Sequence, residues 1–123
     1  MKRTMILTAI LALSMFASAA MAGTVEGTLV DGKCFLKMGA KGNDHGEMKN
    51  CGAMCAKMGI PTGVITAKGK YYTLVVPASS VASYIGKPVK VDGMVKKGSL
   101  IAKSMSVKEN GKWKKVKLAK SMD

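Results

Sequence analysis

Beyond residue 23 the chain is punctuated by short stretches in which apolar and polar residues alternate. Thr24–Val30 sets Val25, Gly27 and Leu29 on one side, which predicts a strand ended by the turn residues Asp31 and Gly32. Gly63–Thr66 and Tyr71–Val76 predict two more strands around Ala67–Lys70, a hairpin connection in which Gly69 is free to take a positive φ. Ala78–Ile85 predicts a short helix with Val81, Tyr84 and Ile85 on one face and Gly86 as its stop. Val89–Val95, Leu100–Val107 and Trp113–Leu118 predict further strands, separated by turns at Gly98 and at Asn110–Gly111.

The segment Cys34–Gly59 breaks this rhythm, being rich in Gly, Met, Lys and Cys and poor in β-branched residues. It reads as an inserted loop carrying one helix of about two turns, Cys51–Met58, with Asn50 as N-cap and Gly59 and Pro61 as the stop. A connection of that length is usually functional. The order of strand, long connection, two strands, short helix and further strands predicts a mainly β fold, a small OB-like Greek-key barrel of about five to six strands. Gly93 inside "VKVDGMV" supplies the bulge or bend that such a barrel needs to curl. An open meander packed on the helices is the competing architecture.

The chain opens differently. Lys2 and Arg3 precede an apolar run from Met5 to about Ala17, and Ala20 and Ala22 form an A-x-A pattern before Gly23, the three parts of a secretory signal peptide. An uncleaved anchor is the alternative, but Thr8, Ser14, Ser18 and several alanines dilute the run. No cysteine stands at the cleavage point to accept a lipid. The expectation is therefore residues 1–22 as a leader and 23–123 as one small domain, periplasmic or secreted after cleavage near Ala22.

Charge adds a second element. Removing Lys2 and Arg3 from the 20 basic residues leaves 18 against seven acidic ones, a mature net charge of +11 that favours acidic partners. Many of these lysines crowd the last quarter, as in "KWKKVKLAK". They read either as the solvated faces of strands or as a patch, Lys112, Lys114, Lys115 and Lys117, for an anionic partner protein, a polysaccharide or a lipid surface. Nucleic acid is disfavoured, because single-strand readers need more stacking aromatics than Tyr71, Tyr72 and Trp113 provide.

The chemistry is concentrated. All three cysteines and the only histidine lie between Cys34 and Cys55. Cys51 and Cys55 fall on one face of a helix, so with Cys34 and His45 they make a candidate Cys3His metal site of the kind used by structural zinc. Met54 and Met58 extend a sulfur stripe along that helix, and thiolates with thioethers suit monovalent copper. Ordinary packing of Met and Cys in a core is the plain alternative. Oxidation outside the cytoplasm offers another: Cys34 paired with Cys51 or Cys55 and the third thiol free. No C-x-x-C-H for haem, no phosphate-binding glycine loop for a nucleotide and no catalytic triad can be assembled, so no enzyme is expected.

In "VDGKC" (Val30–Cys34), His45, "CGAMC" (Cys51–Cys55), "GIPTG" (Gly59–Gly63) and "GKPVKVDGMV" (Gly86–Val95) the chain resembles a group of small exported bacterial proteins of largely unassigned function. The resemblance implies an OB-like barrel with the Cys/His loop as its functional element. His45 stands six positions before Cys51, a longer interval than the usual three of that group. Two functions remain open on these grounds: an exported metal-binding protein, structural or trafficking, and a disulfide-stapled binding module for an anionic ligand.

Overall fold

The computed structural model describes residues 21–119. Six strands run in chain order: β1 (Met21–Asp31), β2 (Thr62–Ile65), β3 (Tyr71–Val75), β4 (Pro88–Lys96), β5 (Ser99–Glu109) and β6 (Lys112–Val116). Between β1 and β2 lie two short helices, α1 (Gly32–Met38) and α2 (Cys51–Lys57), and between β3 and β4 a 3₁₀ helix, Ala78–Tyr84.

The strands form a closed barrel. β1 changes neighbour along its length, pairing with β4 from Met21 to Thr28 and with β2 from Thr28 to Asp31. β2 continues into the β3 hairpin, and the ring shuts where Thr73, Leu74 and Val75 of β3 run parallel to Ser99, Leu100 and Ile101 of β5. The ring of β1, β2, β3, β5 and β4 is thus the expected OB-like barrel, and the parallel closure rules out the open meander. β6 lies outside it, extending the far half of β5 through pairs from Met105↔Val116 to Glu109↔Lys112.

The alternation along the strands explains the core. Val89 and Val91 point inward while Lys90 and Asp92 do not, and Leu29, Val64, Leu74, Leu100, Met105 and Val107 fill the remaining interior. Fully burying each such side chain contributes roughly 1.5–3 kcal/mol before conformational entropy is subtracted. The 3₁₀ helix closes one end with Val81 and Ile85 of the expected face and with Ala82, while Tyr84 of that face is only partly buried. α2 joins the same cluster through Ala56.

Three turns and a bulge follow the sequence reading. Gly69, Lys97–Gly98 and Asn110–Gly111 all take positive φ at hairpin connections. The β4–β5 register shifts between Asp92 and Gly93, and a Cβ on Gly93 would run into the backbone carbonyl of Ile101. One element was not anticipated: α1, which follows directly on β1 where an irregular loop is expected. Of the expected leader, residues 1–20 lie outside the described residues, while Met21 and Ala22 open β1 opposite Val95 and Met94. Among the described residues no helix is long and apolar enough to cross a membrane.

Gly93→Ala should lower the unfolding free energy by about 1–3 kcal/mol, because a backbone carbonyl cannot swing aside as a side chain can. Gly23→Ala, where nothing lies within 4 Å of the added Cβ, should change it by less than about 0.5 kcal/mol. Urea titration of the two variants checks this, and equal midpoints would show that the bulge does not need a glycine.

Candidate metal centre

The site is assembled where β1 leaves the barrel. Asp31 ends the strand and caps the next element, its Oδ1 accepting a hydrogen bond from Lys33 N at 3.1 Å. Gly32 N donates to Pro61 O at 3.0 Å, so the chain leaving β1 is tied to the chain entering β2. α1 then buries Cys34 and ends at Gly39, whose N–H returns to Phe35 O. Phe35 stacks on Tyr71 with ring centroids 5.2 Å apart, anchoring the outer side of α1 to β3.

α2 is positioned by two independent devices. Asn50 occupies the N-cap position with φ of 56°, but its side chain makes no capping bond. Asn43 performs that task from outside the helix: its Oδ1 accepts from Ala53 N at 2.8 Å and its carbonyl from Gly52 N at 3.0 Å. Asp44 Oδ1 accepts from Asn50 N at 2.8 Å, which holds the turn before the helix. On the core side, a Cβ on Gly52 would sit 2.6 Å from Ile85 Cγ2, so the glycine lets α2 press against the 3₁₀ helix while Ala56 is fully buried. With one face fixed in this way, the adjacent face presents Cys51 and Cys55 toward α1.

The outcome is a cluster of three sulfurs, Cys34, Cys51 and Cys55, with all Sγ atoms within 4.8 Å of one another. All three are free thiols, so the structure does not contain the disulfide considered from the compartment. Cys34 and Cys55 are buried and Cys51 is half-buried, which makes Cys51 the mouth of the site. Sulfurs bound to one tetrahedral zinc ion stand about 3.8 Å apart, given Zn–S bonds near 2.3 Å, so a modest contraction suffices for the three to share an ion.

Asp31 dominates the electrostatics of the cluster. Its side chain is 1 % exposed, its Oδ2 is buried, and no group meets that oxygen with hydrogen-bond geometry. The Asp31 carboxylate beside Cys34, which favours the protonated thiol, followed by burial and the negative charge of Asp31, pushes that thiol up to about 12. Burial first, then the charge of Asp31, raises Cys55 as well. Cys34 and Cys55 therefore keep their protons at neutral pH.

The other expected ligands are placed differently. His45 is not in the cluster: its Nε2 lies 3.1 Å from Gly42 O, and its backbone bridges to Met48. Met54 and Met58 are 59 % and 72 % exposed, so they are not core filler, and the expected stripe divides into buried Cys55 and outward methionines. Leu36, Met38 and Met48 are exposed too, giving the insertion an apolar, thioether-rich exterior. The four terminal lysines do not share one face of β6. Lys112 and Lys114 alternate onto the side of buried Val116, Lys114 pairing with Glu109 at 3.5 Å, while Lys115 lies on the Trp113 side and Lys117 follows the strand. The sequence offers Asp31 as a turn residue and as the Asp of "VDGKC"; its cap of α1 has the signal of an Asp before a short run holding a cysteine. Comparisons of the chain with family models, with curated proteins and with solved structures find no match.

Two outcomes follow for the metal-free, reduced protein. Iodoacetamide at neutral pH should modify Cys51 first, with Cys34 and Cys55 reacting only when the fold is opened by denaturant; peptide mapping by mass spectrometry reads the order, and rapid labelling of Cys34 would contradict it. Stability should also fall in alkali. Cys34 is raised from 9.0 to about 12, so above about pH 9 the unfolded thiol ionises while the folded one does not, and the favourable contribution present below that pH is lost as pH rises toward 12. Cys34→Ala should flatten this part of the denaturation profile, and an unchanged slope would show that Cys34 does not cause it.

Proposed function

We propose that this is an exported metal-binding protein that holds one zinc or monovalent copper ion on Cys34, Cys51 and Cys55. The observation that carries the reading is the meeting of three free thiols, from two helices far apart in sequence, within 4.8 Å. Soft thiolates suit either ion. Export rests on the signal-like segment Met1–Ala22. A trafficking role is supported by half-buried Cys51, which gives an ion a way in and out, and by the exposed methionines around it. A structural role is supported by the position of the cluster, which would link α1 to α2. The barrel belongs in this reading to the scaffold, not to the chemistry.

Protein taken from the periplasm under non-oxidising conditions should carry about one equivalent of metal by elemental analysis. After denaturation and chelation it should show all three thiols to a colorimetric reagent. A single free thiol with no metal would instead establish the disulfide-stapled module. Stripping the ion should lower the midpoint of thermal unfolding, since an ion bound only by the folded state stabilises it by mass action.

A second reading, attraction to an anionic surface or polysaccharide, is favoured by one grouping. Lys90 and Lys108 lie 4.3 and 5.8 Å from the centroid of the Trp113 ring, on the side of β6 that also carries Lys115. Replacing Lys90, Lys108 and Lys115 by glutamine should advance elution from heparin at low salt. That advance should exceed the effect of replacing Lys112 and Lys114, and it should shrink as salt shortens the screening length to about 8 Å. Equal effects of the two sets would leave only net charge.

A further inference from the structure

The buried Asp31 carboxylate is without a counter-charge. None of the ion pairs among the described residues involves it, one of its oxygens is committed to the cap of α1, and the other is buried with no partner of hydrogen-bond geometry. Thr62 stands directly opposite Asp31 in the β1–β2 ladder, fully buried, and its Oγ1 is also without a partner. Opposed side chains in such a pair have Cβ atoms about 4.5–5.5 Å apart, close enough for the hydroxyl to turn toward the carboxylate. Buried charges in proteins are paired or bind metal, and ligating carboxylates are themselves held by hydrogen bonds. The 4.8 Å cluster comprises the three sulfurs alone, and the Asp31 carboxylate adjoins it beside Cys34, so a small shift of that side chain would bring an unpartnered oxygen to an ion held by the thiols.

Resting on the metal reading above, we propose that Asp31 is the oxygen donor that completes the site, with Thr62 as the hydroxyl that orients it, and that this carboxylate selects a divalent ion such as zinc over monovalent copper. Three sulfurs are enough for monovalent copper, a soft ion that gains little from a hard carboxylate. A divalent ion of intermediate softness uses a fourth donor and the extra negative charge. Cys34 and Cys55 are the buried sulfurs and Cys51 is half-buried, so Cys51 stands at the mouth of the site. His45, with its Nε2 directed at Gly42 O, is left outside the ligand set.

The test compares wild type, Asp31→Asn and His45→Ala, each reduced and freed of metal, by competition against a chelator for zinc and another for monovalent copper. Asparagine keeps an oxygen to cap α1 and puts an uncharged NH2 group, which does not ligate an ion, in place of the second oxygen. Asp31→Asn should weaken zinc binding roughly 10- to 100-fold, the range seen when groups supporting a metal site are altered. Its copper affinity should stay within about twofold of wild type, because the three thiols remain assembled. His45→Ala should leave both affinities unchanged. Zinc affinity at the wild-type level in Asp31→Asn would overturn the assignment. So would a comparable loss of both ions, which would make Asp31 a folding residue, or a tenfold loss of zinc in His45→Ala, which would restore the histidine as ligand. If wild type bound neither ion, the metal reading itself would fall, and that result is distinct from the other three.

Discussion

Burying a carboxylate and two thiols beside half-buried Cys51 at the end of β1 is the constraint around which the insertion is arranged. Asp31 is 1 % exposed and Cys34 and Cys55 are buried, so this polar corner has lost its water. Removing an anionic carboxylate from water costs several kcal/mol unless something replaces the solvent. The backbone replaces part of it through the N–H of Lys33. The Asp31 Oδ2 has no partner of hydrogen-bond geometry among the described residues.

The barrel makes this corner stable enough to bear that cost. Its interior of Leu, Val and Met residues closes without any contribution from α1, and α2 adds only Ala56 and the close approach at Gly52. The ends of β1 and β2 are fixed by the ladder from Thr28↔Ile65 to Asp31↔Thr62, which leaves Asp31 and Thr62 little freedom. The two helices of the insertion are only seven residues each and would not persist alone in water. They are held by Asn43, by the Phe35–Tyr71 stack and by the 3₁₀ helix. A rigid barrel presenting a short, locally held insertion is a division of labour in which ligand chemistry can vary while the core does not.

Much of the barrel was legible in the chain because its information is local: strand alternation, the positive-φ turns and the bulge at Gly93 each depend on a few neighbouring residues. The clustering of Cys34, Cys51 and Cys55 was legible for the same reason, since Cys51 and Cys55 share a helix face. What escaped was non-local. The parallel β3–β5 closure joins residues far apart in the chain, and the cap of α2 comes from Asn43 rather than from adjacent Asn50. α1 is too short for its periodicity to stand out, so the cap at Asp31 reads in the sequence as a turn. His45 is close to the cysteines in sequence yet lies outside their cluster, its backbone bridged to Met48 and its Nε2 beside Gly42 O, while its Nδ1 is buried without a partner.

X-ray absorption at the metal edge of the purified, reduced protein tests the central claim most directly, because it counts donor atoms around the ion without any substitution. The account predicts three sulfur neighbours at about 2.3 Å and one oxygen neighbour at about 2.0–2.2 Å around zinc. A shell made only of nitrogen and oxygen would contradict it, since the ion would then be bound away from Cys34, Cys51 and Cys55.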